Sequence, residues 1–228
     1  METNANTQLY DKAVDRAAML RLVEADNAAK IHKIFDDHEV NVDKIIRSNS
    51  PRLTEKLRKE IEAEVVSTYA QLHSTVSRNL LDLTKDQLSY AYQQLDNVIG
   101  KIWRTARPTR RVAEEIVLEK PIYSDTTLAN GWMHISVAER KRLEQVIRAG
   151  IAEGMDEGSL ALHIRKASAF KVSRQQSLGL ARTAMTSVYA QADHEVYKAN
   201  EKALKGYQYV AVLDSRTTPL CASRDGKI

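Results

Sequence analysis

The residues best equipped for chemistry gather toward the C-terminal end of the 228-residue chain, in Asp214-Ser215-Arg216-Thr217-Thr218-Pro219-Leu220-Cys221 and Arg224-Asp225-Gly226-Lys227, with His194-Glu195 upstream. Asp214, Arg216, Glu195, His194 and Asp225 would together offer bases, acids and an anion-binding fork, the raw material of a hydrolase or transferase. The same residues fit a structural brace better. Asp214 can accept hydrogen bonds from turn N–H groups, and Arg216 or Arg182 can present a five-donor fork to Asp214, Glu195 or Asp225, tying a turn to a helix. His194 and Glu195, adjacent on a helix, point to different sides. The chain has no metalloprotease helix, phosphate loop or serine elbow, and we read no catalytic residues in it. Cys221 is the single cysteine. A tetrahedral zinc site needs about four N or S ligands, and neither His163 nor His194 stands at ligand spacing from Cys221, so neither metal nor cofactor is expected.

A second candidate site is basic. From Lys101 to Arg111 the chain reads Lys-Ile-Trp-Arg-Thr-Ala-Arg-Pro-Thr-Arg-Arg, five cations with no anion. Lys101, Trp103, Arg104, Arg107, Arg110 and Arg111 are therefore candidate contacts to an acidic protein surface or to phosphate, since an aromatic flanked by arginines can anchor either. The plain reading is a solvated basic linker. Overall charge does not decide the matter: 34 Lys and Arg against 30 Asp and Glu leave only +4.

These residues must be positioned mostly by helices. Eight Gly and four Pro across the chain, with 6% aromatics, leave little from which to build the turns of an all-β protein. Apolar residues recur at helical spacing from Leu9 to Ile46, as one long helix or two short ones. Ser48-Asn49-Ser50-Pro51 stops that run, with Ser50 placed to cap the next helix. A second helical stretch covers about 53–99 and is expected to break near Leu83-Thr84-Lys85 because of its length. Residues 101–131 read as an extended connection in which Ile116-Val117-Leu118 is a candidate short strand. Ser136 followed by Glu139 reads as the capping box of a helix running to about Ile151. A shorter helix at 159–166 and a long one over 173–204, stopped by Gly206, come next. Tyr207 to Leu213, bounded by Gly206 and Asp214, is the strongest strand signal.

The fold expected is mainly α: an elongated N-terminal helical hairpin or stalk (1–100), an extended basic linker (101–131) and a small α+β C-terminal domain (132–228). One cysteine excludes an intrachain disulfide, and no apolar run approaches the roughly 20 residues of a membrane-spanning helix. No signal-peptide layout opens the chain, so a cytosolic protein is expected, exported only within a larger particle.

The order of parts from about Ser136 onward resembles a known family. A helix and glycine-rich turn (Ile147 to Ile151, Glu153-Gly154-Met155) precede a short helix. Ala181-Arg182-Thr183 then leads to Tyr189, Ala192, Glu195 and Tyr197-Lys198, and a strand leads to Asp214-Ser-Arg-Thr-Thr-Pro-Leu-Cys221 and Asp225-Gly226-Lys227. This is similar to the Mu F-like head-morphogenesis proteins of tailed phages, whose last motif is close to D-x-R-T-C-P-x-C. Thr218 stands where the family usually has the first cysteine, and the family's usual Cys- and His-bearing tail would lie after Ile228. The resemblance implies a structural minor head protein rather than an enzyme. Its place would be the virion, inside the capsid at the portal vertex, and the host cytoplasm during assembly. Its partners would be portal protein and major capsid or scaffolding protein, with contact to packaged DNA and none to membrane. Its roles would be head morphogenesis and DNA packaging or ejection. DNA binding as a virion protein, or a toxin-like enzyme module, are the alternatives. Arg182, Thr183, Glu195, Asp214, Arg216, Thr217, Pro219, Cys221, Asp225 and Gly226 would form its structural motif.

Overall fold

The computed structural model describes residues 5–49, 54–109, 111–167, 169–204, 206, 218–224 and 226. Two long helices come first, α1 (Ala5–Arg47) and α2 (Glu55–Ile99). Neither contains Gly or Pro, so nothing in the backbone chemistry interrupts the hydrogen-bond ladder. The break expected near Leu83-Thr84-Lys85 does not occur. Thr84 is fully buried and its hydroxyl donates to Leu80 O at 2.6 Å, one turn back within the same helix. Leu83 and Leu88 extend the buried face through this point.

The helix α2 starts at Thr54, whose Oγ1 accepts from Leu57 N–H at 3.1 Å. Ser50, the expected cap, lies outside the described residues. Pairings between α1 and α2 run in opposite directions: Asn49 meets Glu60, His38 meets Glu64, Asn27 meets Asn79 and Arg16 meets Gln87. The two helices are therefore an antiparallel hairpin about 65 Å long.

After the 101–109 strap, α3 (Arg111–Glu114) runs into a π-helical turn (Glu115–Glu119) with Ile116 and Val117 buried. These apolar residues were a candidate strand; the chain instead coils, because Ala113, Ile116 and Val117 reach the core from a helical backbone. The helix α4 (Leu128–Ala152) is capped by Thr127, not by Ser136. Ser136 is mid-helix with its hydroxyl on Met133 O, and Glu139 is fully buried, so the expected capping box does not form. A left-handed Gly154, φ 73°, ends α4, and Asp156 caps α5 (Glu157–Lys166) through Ser159 N–H at 2.7 Å. The long α6 (Ala169–Ala199) is followed by a 3₁₀ turn (Glu201–Ala203) and α7 (Pro219–Arg224).

The hairpin does not stand alone. The helix α2 packs against α4 and α6 as well as α1, and α1 packs against α5 and α6. One continuous apolar core runs from Ile31, Phe35 and Leu72 to Leu143, Ile147, Ala184 and Val188. The described residues contain no strand, only an isolated bridge between Tyr123 and Thr126. The α+β character expected for the C-terminal region is thus not found among them; the strand expected at 207–213 lies outside. No helix is long and apolar enough to cross a membrane among the described residues.

Candidate functional site

The sequence motif of the C-terminal region is spread over several surfaces. Arg182 reaches out from α6 and its guanidinium bonds Glu24 of α1. Glu195 instead receives Lys120 Nζ at 2.5 Å from the turn before α4, and the Lys120 hydrogen bond holds its carboxyl below the usual range. The expected pairing of Arg182 with Glu195 does not form, because thirteen residues along one helix set them about 140° apart. Thr183 and His194 are exposed. Pro219 opens α7, where Thr218 Oγ1 accepts from Cys221 N–H at 3.2 Å, and Gly226 has a φ of 75°. Asp214, Arg216, Thr217 and Asp225 lie outside the described residues. Among the described residues no three His, Cys, Asp or Glu side chains are grouped to hold a metal.

The basic segment forms a strap that turns back beside the end of α2. Three contacts fix its middle. Thr105 hydroxyl bonds Asp96 of α2, and the Arg107 guanidinium lies 5.5 Å over the Tyr92 ring. Asn200, at the end of α6, binds the Ala106 peptide on both edges: Ala106 N–H donates to its Oδ1 at 2.7 Å and its Nδ2 donates to Ala106 O at 2.9 Å. Asn200 is buried and was not singled out from the sequence. Lys101 and Arg104, exposed, carry no ion pair among the described residues, whereas Arg111 pairs with Glu115. Ile102 is 85% exposed and Trp103 40%. Arg110 lies outside the described residues. Two clefts flank the strap on one face of α2: one of about 540 Å³ with Tyr92, Lys101, Trp103 and Arg104 in its lining, and one of about 700 Å³ with Lys85, Ser89, Arg107 and Pro108 in its lining.

A third assembly went unread in the sequence. His38 of α1 is sealed between Glu64 of α2 and Glu139 of α4, its Nδ1 3.1 Å from Glu64 and its Nε2 2.9 Å from Glu139. Tyr69 hydroxyl donates to the other Glu139 oxygen at 2.5 Å, and Thr68 Oγ1 lies 2.9 Å from His38 Nδ1. Burial alone would pull the imidazole down, but hydrogen bonds and charge from Glu139 and Glu64 outweigh it and push His38 up to about 9. His38 is therefore an imidazolium that donates from both nitrogens. The Glu64 carboxyl is correspondingly lowered, chiefly by His38. Burial and the adjacent Glu139 charge raise Tyr69, which stays a neutral donor. Phe170 and Phe35 close edge-on over the imidazole. With His38 1% and Glu139 0% exposed, the group can hold three helices together from inside the core.

This cluster is one layer of a ladder. Arg16, Asn27 and His38 recur every eleven residues along α1, three helical turns each, and so share one face; Asn49 continues the spacing two residues past the helix end. Each meets a polar partner on α2. Arg16 Nε donates to Gln87, whose Nε2 donates to Asp193 of α6 at 2.6 Å. Asn79 Nδ2 donates to Asn27 Oδ1 at 2.6 Å, and Asn27 Nδ2 faces Met185 Sδ of α6 at 3.4 Å. Asn49 Nδ2 donates to Glu60 at 2.8 Å. Burial pushes Asp193 up to about 6, against the opposing effects of Gln87 and Arg16. The even spacing was the signal available in the sequence: a polar residue at every third turn of an otherwise apolar stripe.

Comparison with known proteins bears on the C-terminal part of this arrangement. The family described as Phage Mu protein F like protein matches residues 141–228, from within α4 through α5, α6 and α7. No curated protein and no solved structure matches the chain. The hairpin, the strap and Glu139 thus precede the matched segment, while Asp193 and Asn200, which engage the hairpin and the strap, fall within it. Residues 141–228, under half of the chain, are thus similar to the family described as Phage Mu protein F like protein.

Proposed function

We propose that this protein is a structural component of a tailed-phage head, bound at the portal vertex and acting in head assembly and in DNA packaging or ejection. The observation that carries the reading is the family match over 141–228. The architecture supports it: α4 and α6 carry a rigid hairpin about 65 Å long, a shape suited to bridging neighbouring subunits. Portal protein is the proposed partner, with capsid or scaffolding protein as further neighbours. A non-enzymatic role is part of the same reading, supported by the burial of His38 and Glu139 inside the core. Zinc and other cofactors have no part in it.

Co-expression with the portal protein of the same phage, followed by affinity purification and electron microscopy of the portal, tests the proposal. Extra density on the portal ring and recovery of the protein from purified heads are expected. Heads that lack the protein, together with a chain that stays apart from portal at micromolar concentration, would overturn the reading.

A further inference from the structure

We propose that the groove between the last turns of α2 and the 101–109 strap binds single-stranded nucleic acid. From Asn97 to Ala113 the sequence holds five Lys or Arg and no Asp or Glu. Residues 85, 89, 92 and 96 of α2, with its C-terminal cap Gly100, form one stripe about 22 Å long, and both clefts open along it. Cations stand along its whole length: Lys85 and Arg107 at one cleft, Lys101 and Arg104 at the other. The nearest acid, Asp96, is engaged by the Thr105 hydroxyl, and Lys85 has only a long 4.0 Å contact with Asp82. Glu114 is the other carboxylate in the lining.

The strap is held in advance of any ligand. Asn200 clamps the Ala106 peptide, and Tyr92 seats Arg107, so little ordering entropy remains to oppose binding. Trp103 decides between kinds of partner. A basic groove with an exposed indole fits a strand whose phosphates pair with the cations while an unpaired base stacks on the ring. A duplex offers the charges but hides its base faces, and an acidic peptide offers charges without planar faces to stack. This inference does not depend on attachment to a portal.

Fluorescence anisotropy of the full chain with a labelled oligothymidylate of about 15 nucleotides, at a series of salt concentrations, tests it. Binding should weaken steeply with salt. The double substitution Lys101→Gln/Arg104→Gln, at exposed side chains that leave the core untouched, should make the salt slope shallower by about 1.4. Trp103→Ala should weaken binding roughly tenfold and Trp103→Phe should restore most of it. Asn200→Ala, with helicity unchanged by circular dichroism, should weaken binding while leaving the salt slope in place, as expected of a positioning residue. Duplex of equal length and polyglutamate should compete at least tenfold less well, an order-of-magnitude margin set by the stacking contribution. Equal competition by either, or a double variant that binds like the wild type, overturns the proposal.

Discussion

His38 shows how far a residue's chemistry depends on what crosses it. In the chain it is one of six scattered histidines; in the fold two carboxylates from two other helices keep it a cation at neutral pH. Because its folded value of about 9 lies above the unfolded 6.5, its contribution is fully present below pH 6.5 and is lost as pH rises through 9. The Glu64 carboxyl has the opposite sign: lowered in the fold, its contribution is present above its ordinary value and lost in acid. Thermal unfolding should therefore show a fall in Tm between about pH 7 and 9 that is absent in His38→Ala. That variant should itself lose about 3–5 kcal/mol at pH 6, since Glu139 is left buried and uncompensated. Asp193 is the counter-example. Its folded value of about 6 lies above the unfolded 3.8, so charging it on going to neutral pH costs stability. Asp193→Asn, which keeps an oxygen for Gln87, should raise stability at pH 7 by on the order of 1–3 kcal/mol and leave it unchanged below pH 4. An unaltered Tm at pH 7 would mean that Asp193 is hydrated rather than buried.

Elements were legible where the backbone chemistry is local. The hairpin helices followed from apolar periodicity without Gly or Pro, and the Gly154 turn and the short α5 from composition. Two errors share one physical cause. Length suggested a break in α2, but a long helix is stable when α1, α4 and α6 cover it from several sides. Ser136 and Glu139 have the spacing of a capping box, yet that spacing also occurs inside helices, and here Glu139 is engaged by His38 and Tyr69. Local patterns cannot report a partner a hundred residues away. Packing at glycines gives a test at this scale. A Cβ on Gly150 would sit 2.6 Å from Leu160 Cδ1 and 3.2 Å from Met155 Sδ, where α4 meets α5, whereas Gly179 on α6 has nothing within 4 Å. Gly150→Val should cost about 1–3 kcal/mol by overpacking, and Gly179→Ala should add about 0.5–1 kcal/mol. Denaturant midpoints measured at constant m-value would register both, and equal shifts in the same direction would contradict this packing.

At the scale of the whole molecule, the N-terminal hairpin and the family segment depend on each other. The ladder along α1 specifies one register: a shift by one residue would swing Arg16, Asn27 and His38 about 100° off their partners and leave polar groups without their hydrogen bonds. The third members of those layers, Met185 and Asp193, belong to α6 within the matched segment, and Asn200 at its end holds the strap. The candidate site was accordingly legible in part. The cations and Trp103 stood out by type, but the Asn200 clamp that shapes them did not, because an Asn within a stretch read as helix to 204 carries no local sign of a partner at Ala106. This coupling should give a single cooperative unfolding transition, read by calorimetry, rather than separate melting of hairpin and C-terminal helices. Glu139→Gln, which removes the charge holding α1, α2 and α4 together, should lower the protection of amides in α1 and in α6 alike when monitored by hydrogen exchange. If exchange accelerated in α1 alone while α6 kept its protection, the hairpin would be an independent unit, and the ladder would serve only to align its two helices.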